Sequence, residues 1–340
     1  MSKTILVVTD NVPDQINGVV TTFKNLEDLA DSNGHRIVYI NPREFPNFAC
    51  PGYPEVRLCW PHGISKKIKA IQPAYIHIAT EGPVGLFARW WCERNHIPYN
   101  TSYHTDFAKF LKKMYGVPEY WTWWYMRWFH KNSHRVLVTT ESIRQELVAR
   151  GFQNLRVWTR GVDRTIFNSS HRGETVAGRP VLLSVGRVSV EKGLDDFCRL
   201  DIPGATKIIV GDGPYRKELE RRYPDIHFVG AKKGTQLACY YAQADVFVFP
   251  SRADTFGVVN IEALACGTPV AAYPVPGPKD IVEPGLTGFL NDHLRSAVEQ
   301  CLTLDRKDVE DASLQWTWAE CWRIFQENLI VTIKLSQSTS

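Results

Sequence analysis

No run of 18 apolar residues occurs in the chain, so no segment reads as a membrane-spanning helix. The eight cysteines, at 50, 59, 92, 198, 239, 266, 301 and 321, are scattered and never fall in a Cys-x-x-Cys spacing. Neither a zinc site nor a disulfide framework is indicated, and a reducing cytoplasm fits. Charge is nearly balanced: 40 Lys and Arg against 36 Asp and Glu leave +4, which does not by itself imply a nucleic-acid partner. Short-period repeats and low-complexity tracts are absent. The opening MSKTILVVTD lacks the longer apolar run and small-residue cleavage site of a signal peptide, and reads as a buried strand ending in Asp10. What is present is 340 residues with 44% hydrophobic content, enough for two domains with real cores.

Strands and helices alternate. Buried strands are expected over Ile5–Val8, His35–Ile40, Tyr75–Ile78, Pro98–Thr101 and Arg135–Thr139, with helices over Val19–Asn33 and Gly85–Asn95. After a polar stretch, Asn168–Arg179, the pattern restarts with strands over Val181–Val185, Lys207–Val210, His227–Val229 and Val246–Phe249. Short strands interleaved with helices predict an α/β fold with doubly wound parallel sheets. Two Rossmann-like domains are expected, over 1–165 and 175–312, with a linker near 162–179. A Trp-rich helix, Thr317–Val331, and a polar tail follow.

The richest stretch is Ser251–Pro269, SRADTFGVVNIEALACGTP. Strand Val246–Phe249 leads into a loop holding Asp254, Thr255, Phe256 and Gly257. An apolar, helix-compatible run follows, carrying Glu262 and stopped by Gly267-Thr-Pro269. The loop backbone and helix N-terminus offer free N–H groups to an anion. One carboxylate can hold hydroxyls of a bound sugar, the other those of a ribose. Upstream, strand Val181–Val185 runs into Gly186-Arg187 and Glu191-Lys192-Gly193. Strand ends of open α/β sheets are where ligands bind, and Arg187 and Lys192 can both reach a diphosphate from there. Fixed cations stabilise a departing nucleoside diphosphate. Gly211-Asp-Gly213-Pro, after the next strand, permits a tight turn and close backbone approach.

Asp254 and Glu262, with seven residues between them and Phe-Gly after the first, resemble the Glu-x7-Glu signature of retaining GT-B glycosyltransferases of group 1, family 4. Asp254 replaces the usual first Glu and is one methylene shorter. The resemblance implies two Rossmann-like domains facing an interdomain cleft, with 1–165 binding acceptor, 175–312 binding a nucleotide sugar, and helix 317–331 crossing back onto the first domain. It implies that Arg187 and Lys192 neutralise the diphosphate and that Gly211 and Gly213 flank the donor. Gly18, in Asn17-Gly18-Val19, stands where the family has Gly-Gly against the donor phosphates. His104, in Ser102-Tyr103-His104-Thr105, matches the family's active-site histidine. Arg160, before Gly161-Val-Asp163, stands where Asn is more usual and is read as either a third cation or part of a linker turn. Retention would follow from the family, by a front-side displacement in which the leaving phosphate takes the acceptor's proton. No Asp-x-Asp pair is present, so no metal or other cofactor is expected.

Residues 107–135 hold six Lys or Arg (109, 112, 113, 127, 131, 135), one acid, Glu119, and ten aromatics. Trp121, Trp124, Tyr125, Trp128 and Phe129 fall on one helical face, with Trp123 off it. That face is read either as packing on its own domain or as part of a peripheral membrane surface, for which basic residues with interfacial aromatics are suited. The same mixture could grip single-stranded nucleic acid. The segments Asn47–Tyr53, Ala79–Gly85, Asn100–Thr105, Thr159–Asp163 and Phe249–Lys279 are similar to bacterial lipid glycosyltransferases related to sulfoquinovosyl- and glucosyl- or glucuronosyl-diacylglycerol synthases. Glu81, in Thr-Glu-Gly-Pro, is a candidate acceptor-side residue or a buried structural one. The resemblance implies hexose or hexuronic-acid transfer, from a UDP-sugar in the first instance, to a lipid such as diacylglycerol. The enzyme would be cytoplasmic, peripheral on the inner membrane face, and monomeric or weakly dimeric. A soluble or glycan acceptor, a nucleic-acid-directed protein and a non-catalytic nucleotide-sugar binder are the alternatives.

Overall fold

Aliphatic and β-branched runs ending in Gly, Pro or Asp form the strands, and amphipathic stretches between them form the helices. The computed structural model describes residues 2–15, 18–50, 53–104, 116–173, 180–252 and 254–332, with only the backbone of 53–56. Asn17, Thr105 and the basic cluster Lys109, Lys112 and Lys113 lie outside the described residues. Two units divide the chain: Met1–Thr159 with Trp318–Ser340, and Arg160–Thr317.

The first unit contains β1 (Lys3–Val8), β2 (His35–Ile40), β3 (Asn47–Cys50), β4 (Tyr53–Cys59), β5 (Tyr75–Ile78), β6 (Asn100–Tyr103), β7 (Val136–Val138) and β8 (Leu155–Val157). Its helices are α1 (Gly18–Ser32), α2 (Ile64–Ile71), α3 (Pro83–Arg94), α4 (Glu119–His130) and α5 (Glu141–Ala149). Six strands form a parallel sheet in the order β2-β1-β5-β6-β7-β8, and β3 pairs antiparallel with β4. Both faces of β1 are covered. Ile5 and Val7 pack with Phe23 and Trp158, whereas Leu6 and Val8 pack with Ile76, Ile78 and Trp91, as expected of a parallel sheet buried on two sides. The last helix, α13 (Trp318–Glu327), joins this unit. Cys321, Trp322 and Phe325 enter the same cluster as Phe23, the Phe325 ring stacks on Trp158 at 5.0 Å, and Trp158 Nε1–H donates to the Cys321 carbonyl at 2.9 Å.

Most element ends shift by a residue or more from the sequence expectation, and for two of them the physical reason is plain. Strand β6 starts at Asn100, not Pro98, because proline has no N–H for the ladder. Helix α3 starts at Pro83 rather than Gly85. Proline suits the first helical position, and the Asp10 carboxylate at the end of β1 accepts from the Val84 and Gly85 N–H groups at 2.7 and 3.4 Å. A β-carbon at Gly82 would stand 2.5 Å from the Asp10 carboxyl carbon, so the Gly-Pro step is what lets the carboxylate cap the helix. Burial pushes the Asp10 carboxyl above its usual range, against bonds from Thr80 and these amides that pull it down.

The second unit is built the same way. Its strands are β9 (Val181–Val185), β10 (Thr206–Val210), β11 (His227–Phe228), β12 (Val246–Phe249), β13 (Val270–Ala272) and β14 (Gly288–Leu290), in the parallel order β11-β10-β9-β12-β13-β14. The helices are α6 (Leu194–Cys198), α7 (Arg216–Arg222), α8 (Gly234–Gln243), α9 (Val258–Ala265), α10 (Pro278–Ile281), α11 (Leu294–Cys301) and α12 (Arg306–Ala312). Phe247 and Phe249 pack on one side of the sheet with Ile261 and Leu264, and Val246 and Val248 pack on the other. Val162 and Phe167, from the stretch read as linker, are buried in this unit's core.

Candidate functional site

In the second unit, three loops at the C-terminal ends of β9, β10 and β12 are laced together by backbone. A β-carbon at Gly211 would stand 1.8 Å from the Gly186 carbonyl oxygen, and one at Gly213 would stand 2.3 Å from that of Val188. Only glycine permits such approach. Val188 N–H donates to the Asp212 carbonyl at 2.9 Å, closing the two loops on each other. Gly193, with φ of 65°, lies against the Pro250 carbonyl, where a β-carbon would come to 2.6 Å. This fit brings the β9 loop against the loop after β12.

Lys192 and Asp254 meet as a result. Lys192 Nζ donates to both Asp254 oxygens, at 2.7 and 2.9 Å, with side chains 30% and 21% exposed. Arg187 stands exposed just past β9. Phe256 anchors the Asp254 loop, buried edge-on against Trp316 at 5.7 Å. Gly257 then opens α9 with φ of 80°. Thr255, between Asp254 and Phe256, is half-buried. Glu262, on α9, accepts from Tyr241 O–H at 3.0 Å. Burial raises the Glu262 carboxyl from the usual 4.5 to about 7, although the Tyr241 bond pulls it down. Burial and the neighbouring Glu262 in turn drive the Tyr241 phenol well above 10.

Tyr241 carries no signal in the sequence that marks it for a site. It sits in an ordinary apolar helical pattern on α8, 21 residues from its partner. Asn260, one turn into α9, is fully buried, and neither amide atom has a hydrogen-bond partner among the described residues. Such a group is costly to leave unmade.

In the first unit, Glu81 and His104 also follow strand ends, those of β5 and β6. Glu81 is buried, and its Oε1 lies 3.3 Å from His130 Nε2, while Tyr125 O–H donates to its backbone carbonyl at 2.6 Å. His130 Nδ1 continues to Thr101 Oγ1 at 2.8 Å. His104 is half-buried, with Nε2 2.8 Å from Ser102 Oγ. Gly18 is exposed at the start of α1, and a β-carbon there would meet nothing within 4 Å, so the fold does not require glycine at this position. Arg160 is buried, 3% exposed. Among the described residues no group of three His, Cys, Asp or Glu could hold a metal ion, and no helix is long and apolar enough to cross a membrane.

The aromatic face of α4 divides differently from the sequence expectation. Trp123, placed off the stripe, is buried with Met126 and Phe129. It lies edge-on to Phe152 at 6.3 Å, with the Arg150 guanidinium at 4.0 Å. Tyr120, Trp121, Trp124 and Trp128 are 67%, 61%, 51% and 39% exposed. Three members of the stripe thus face solvent, while Phe129 is inside. Phe48, Trp60 and Trp90, elsewhere in the same unit, are also exposed.

Family comparison matches residues 16–165 to the model described as Glycosyltransferase Family 4 and residues 179–304 to that described as Glycosyl transferases group 1. The GDP-mannose-dependent alpha-mannosyltransferase of Mycobacterium tuberculosis is 33% identical over 279 residues, spanning 78% of this chain and 71% of that protein. The sulfoquinovosyl transferase of Arabidopsis thaliana is 32% identical, spanning 86% of this chain and 60% of that protein. The alpha-monoglucosyldiacylglycerol synthase of Streptococcus pneumoniae is 25% identical, spanning 83% and 74%. Among solved structures, sucrose-phosphate synthase from Thermosynechococcus elongatus superposes with a TM-score of 0.79 at 20% identity, over 96% of this chain and 98% of that one. The two parallel-sheet units are those of the GT-B fold.

Proposed function

The chain belongs to the group 1, family 4 glycosyltransferases, and from that premise we propose that it transfers a hexose or hexuronic acid from a nucleotide sugar to a membrane lipid such as diacylglycerol, with retention. The observation that carries the donor assignment is the Lys192–Asp254 pair, one loop from the Glu262 helix. A partly exposed ion pair of this kind is worth on the order of 1 kcal/mol. A donor can therefore exchange it readily, its diphosphate taking Lys192 and its sugar hydroxyls taking Asp254. Glu262 then holds the ribose.

In the reaction, the acceptor hydroxyl oxygen bonds to the anomeric carbon as the bond from that carbon to the phosphate oxygen breaks. The electron pair goes to the departing nucleoside diphosphate, where Arg187 and Lys192 stabilise the charge. The same phosphate oxygen takes the acceptor's proton on the face it leaves, so configuration is kept. Positioning and charge do the work, and the scheme needs no metal. Gly211, Gly213 and the Thr255–Gly257 backbone offer close approach around the donor; on the family resemblance, Gly18 of the first unit is assigned to the donor phosphates and His104 to the donor sugar.

The lipid acceptor is supported by the exposed tryptophans of α4, flanked by Arg127 and Lys131, which suit the boundary between headgroups and acyl chains. It is also supported by the relative named for monoglucosyldiacylglycerol. A GDP-mannose donor is the second reading, favoured by the mycobacterial relative's name. Mass spectrometry of lipids from a host that makes no glycolipids, with and without the chain, tests the proposal. A new hexosyl or hexuronosyl lipid is expected. Transfer to soluble glycans alone would overturn the lipid acceptor, and absence of transfer from both UDP- and GDP-sugars would overturn the catalytic reading.

A further inference from the structure

Strand β5 places His77 beside Ser102 of the neighbouring β6, with His104 just past the end of β6. Ser102 Oγ lies 3.0 Å from His77 Nε2 and 2.8 Å from His104 Nε2. His77 and Ser102 are wholly buried. Phe23, Trp158 and Phe325 enclose the His77 ring at 5.6, 6.0 and 5.1 Å, and Trp158 also lies 5.8 Å from the His104 ring. Three rings thus pack on the His77 imidazole and one of them, Trp158, on that of His104, with the Ser102 hydroxyl between the two.

A serine hydroxyl has a single proton and can donate it to only one nitrogen. Left undonated in a buried site, that O–H would give up its bond to water with nothing in return. Ser102 must therefore donate to one Nε2 and accept from the other. If His77 Nε2–H donates to Ser102, the Ser102 proton goes to His104 Nε2 and the His104 proton sits on Nδ1. If the order is reversed, His104 carries its proton on Nε2 and Nδ1 is bare. The two rings cannot choose their tautomers independently.

We propose that His77, acting through Ser102, is a positioning residue that fixes the tautomer of His104. This rests on the reading of His104 as a residue of the donor-sugar site. A ring that presents Nδ1–H donates to a sugar oxygen, and one that presents bare Nδ1 accepts from a sugar hydroxyl. The ordering of one buried hydroxyl thus decides which hydrogen bond His104 offers.

The test is nitrogen-15 NMR of the imidazoles in the full chain near neutral pH, with His77→Gln and His104→Gln assigning the signals. Wild-type protein is expected to show one ring protonated at Nε2 and the other at Nδ1. Both rings protonated at the same nitrogen would overturn the proposal with no variant needed. Ser102→Ala is expected to turn the His104 signal into a mixture of tautomers and to lower turnover about tenfold or more, with the donor KM within about twofold. Ser102→Thr, which keeps the hydroxyl, is expected to restore a single tautomer. A His104 tautomer unmoved by Ser102→Ala would also overturn the idea. Failure of the functional reading shows separately, as absence of transfer from any nucleotide sugar, while the tautomers still decide this proposal.

Discussion

Glu262→Gln is expected to stabilise the free protein and to weaken its grip on nucleotide, two effects of opposite sign from one half-buried carboxylate. In the folded chain the Glu262 carboxyl sits at about 7 rather than 4.5, chiefly because burial disfavours its ionised form. That displacement corresponds to about 3 kcal/mol. Because the folded value is the higher one, Glu262 carries no penalty below about pH 4.5. The penalty grows as pH rises toward 7 and is constant above it. Glutamine never ionises and so escapes it, although an unpartnered amide N–H takes back about 1 kcal/mol. The amide cost does not vary with pH. The stability gap between variant and wild type should therefore widen by about 2–3 kcal/mol from pH 5 to pH 8. Denaturant titrations at the two pH values read this directly, and a gap that stays constant refutes the buried-charge argument. Binding should move the other way. Loss of charged hydrogen bonds to the ribose should weaken nucleoside diphosphate about 10- to 100-fold at pH 8. Wild-type affinity should fall about tenfold from pH 8 to pH 6, as the carboxylate is protonated. The nucleotide's own phosphate titrates near 6 and affects both proteins equally. Calorimetry in which variant and wild type share the same slope, or the same affinity at pH 8, would remove Glu262 from the ribose site.

Arg187→Ala and Lys192→Ala should each cut turnover by about a hundredfold without unfolding the protein, since each removes a charge at the leaving group; unchanged rates in both would sink the diphosphate assignment. Asp254→Asn should impair transfer more than it weakens free nucleoside diphosphate, and calorimetry showing a larger loss than in Glu262→Gln would mean the two carboxylates have exchanged roles. Gly211→Ala should destabilise the second unit by at least about 2 kcal/mol, because its β-carbon would meet the Gly186 carbonyl at 1.8 Å; an unchanged denaturation midpoint would contradict the interlocked loops. Association with anionic vesicles should weaken with salt and with Lys112→Glu plus Lys113→Glu, at about 1 kcal/mol for each basic residue lost. It should weaken without a change in salt dependence in Trp121→Ala plus Trp124→Ala, and sedimentation in which wild type ignores the vesicles would remove the membrane surface.

The chain by itself settled whatever depends on near neighbours. Alternating strands and helices are legible because a strand buried on both faces must be apolar throughout, as Val246–Phe249 is. The Asp254 loop and the α9 helix are legible for the same reason, since Gly257 and Gly267 punctuate them locally. The close-approach glycines could be flagged too, but not what they approach. Gly211 meets Gly186 only once β9 and β10 pair. Tertiary structure alone decided which face of α4 is inside. Periodicity groups residues without saying what lies opposite, and Phe152 and Arg150 from beyond β7 draw Trp123 inward, leaving Trp121 and Trp124 exposed. It also decided the partners of the titrating groups. Tyr241 reaches Glu262 from another helix, and Ser102 bridges two histidines from adjacent strands. Hydrogen-bond geometry is set to fractions of an ångström by the packing of distant segments, and a pKa follows from that packing, so neither is written in the local order of residues.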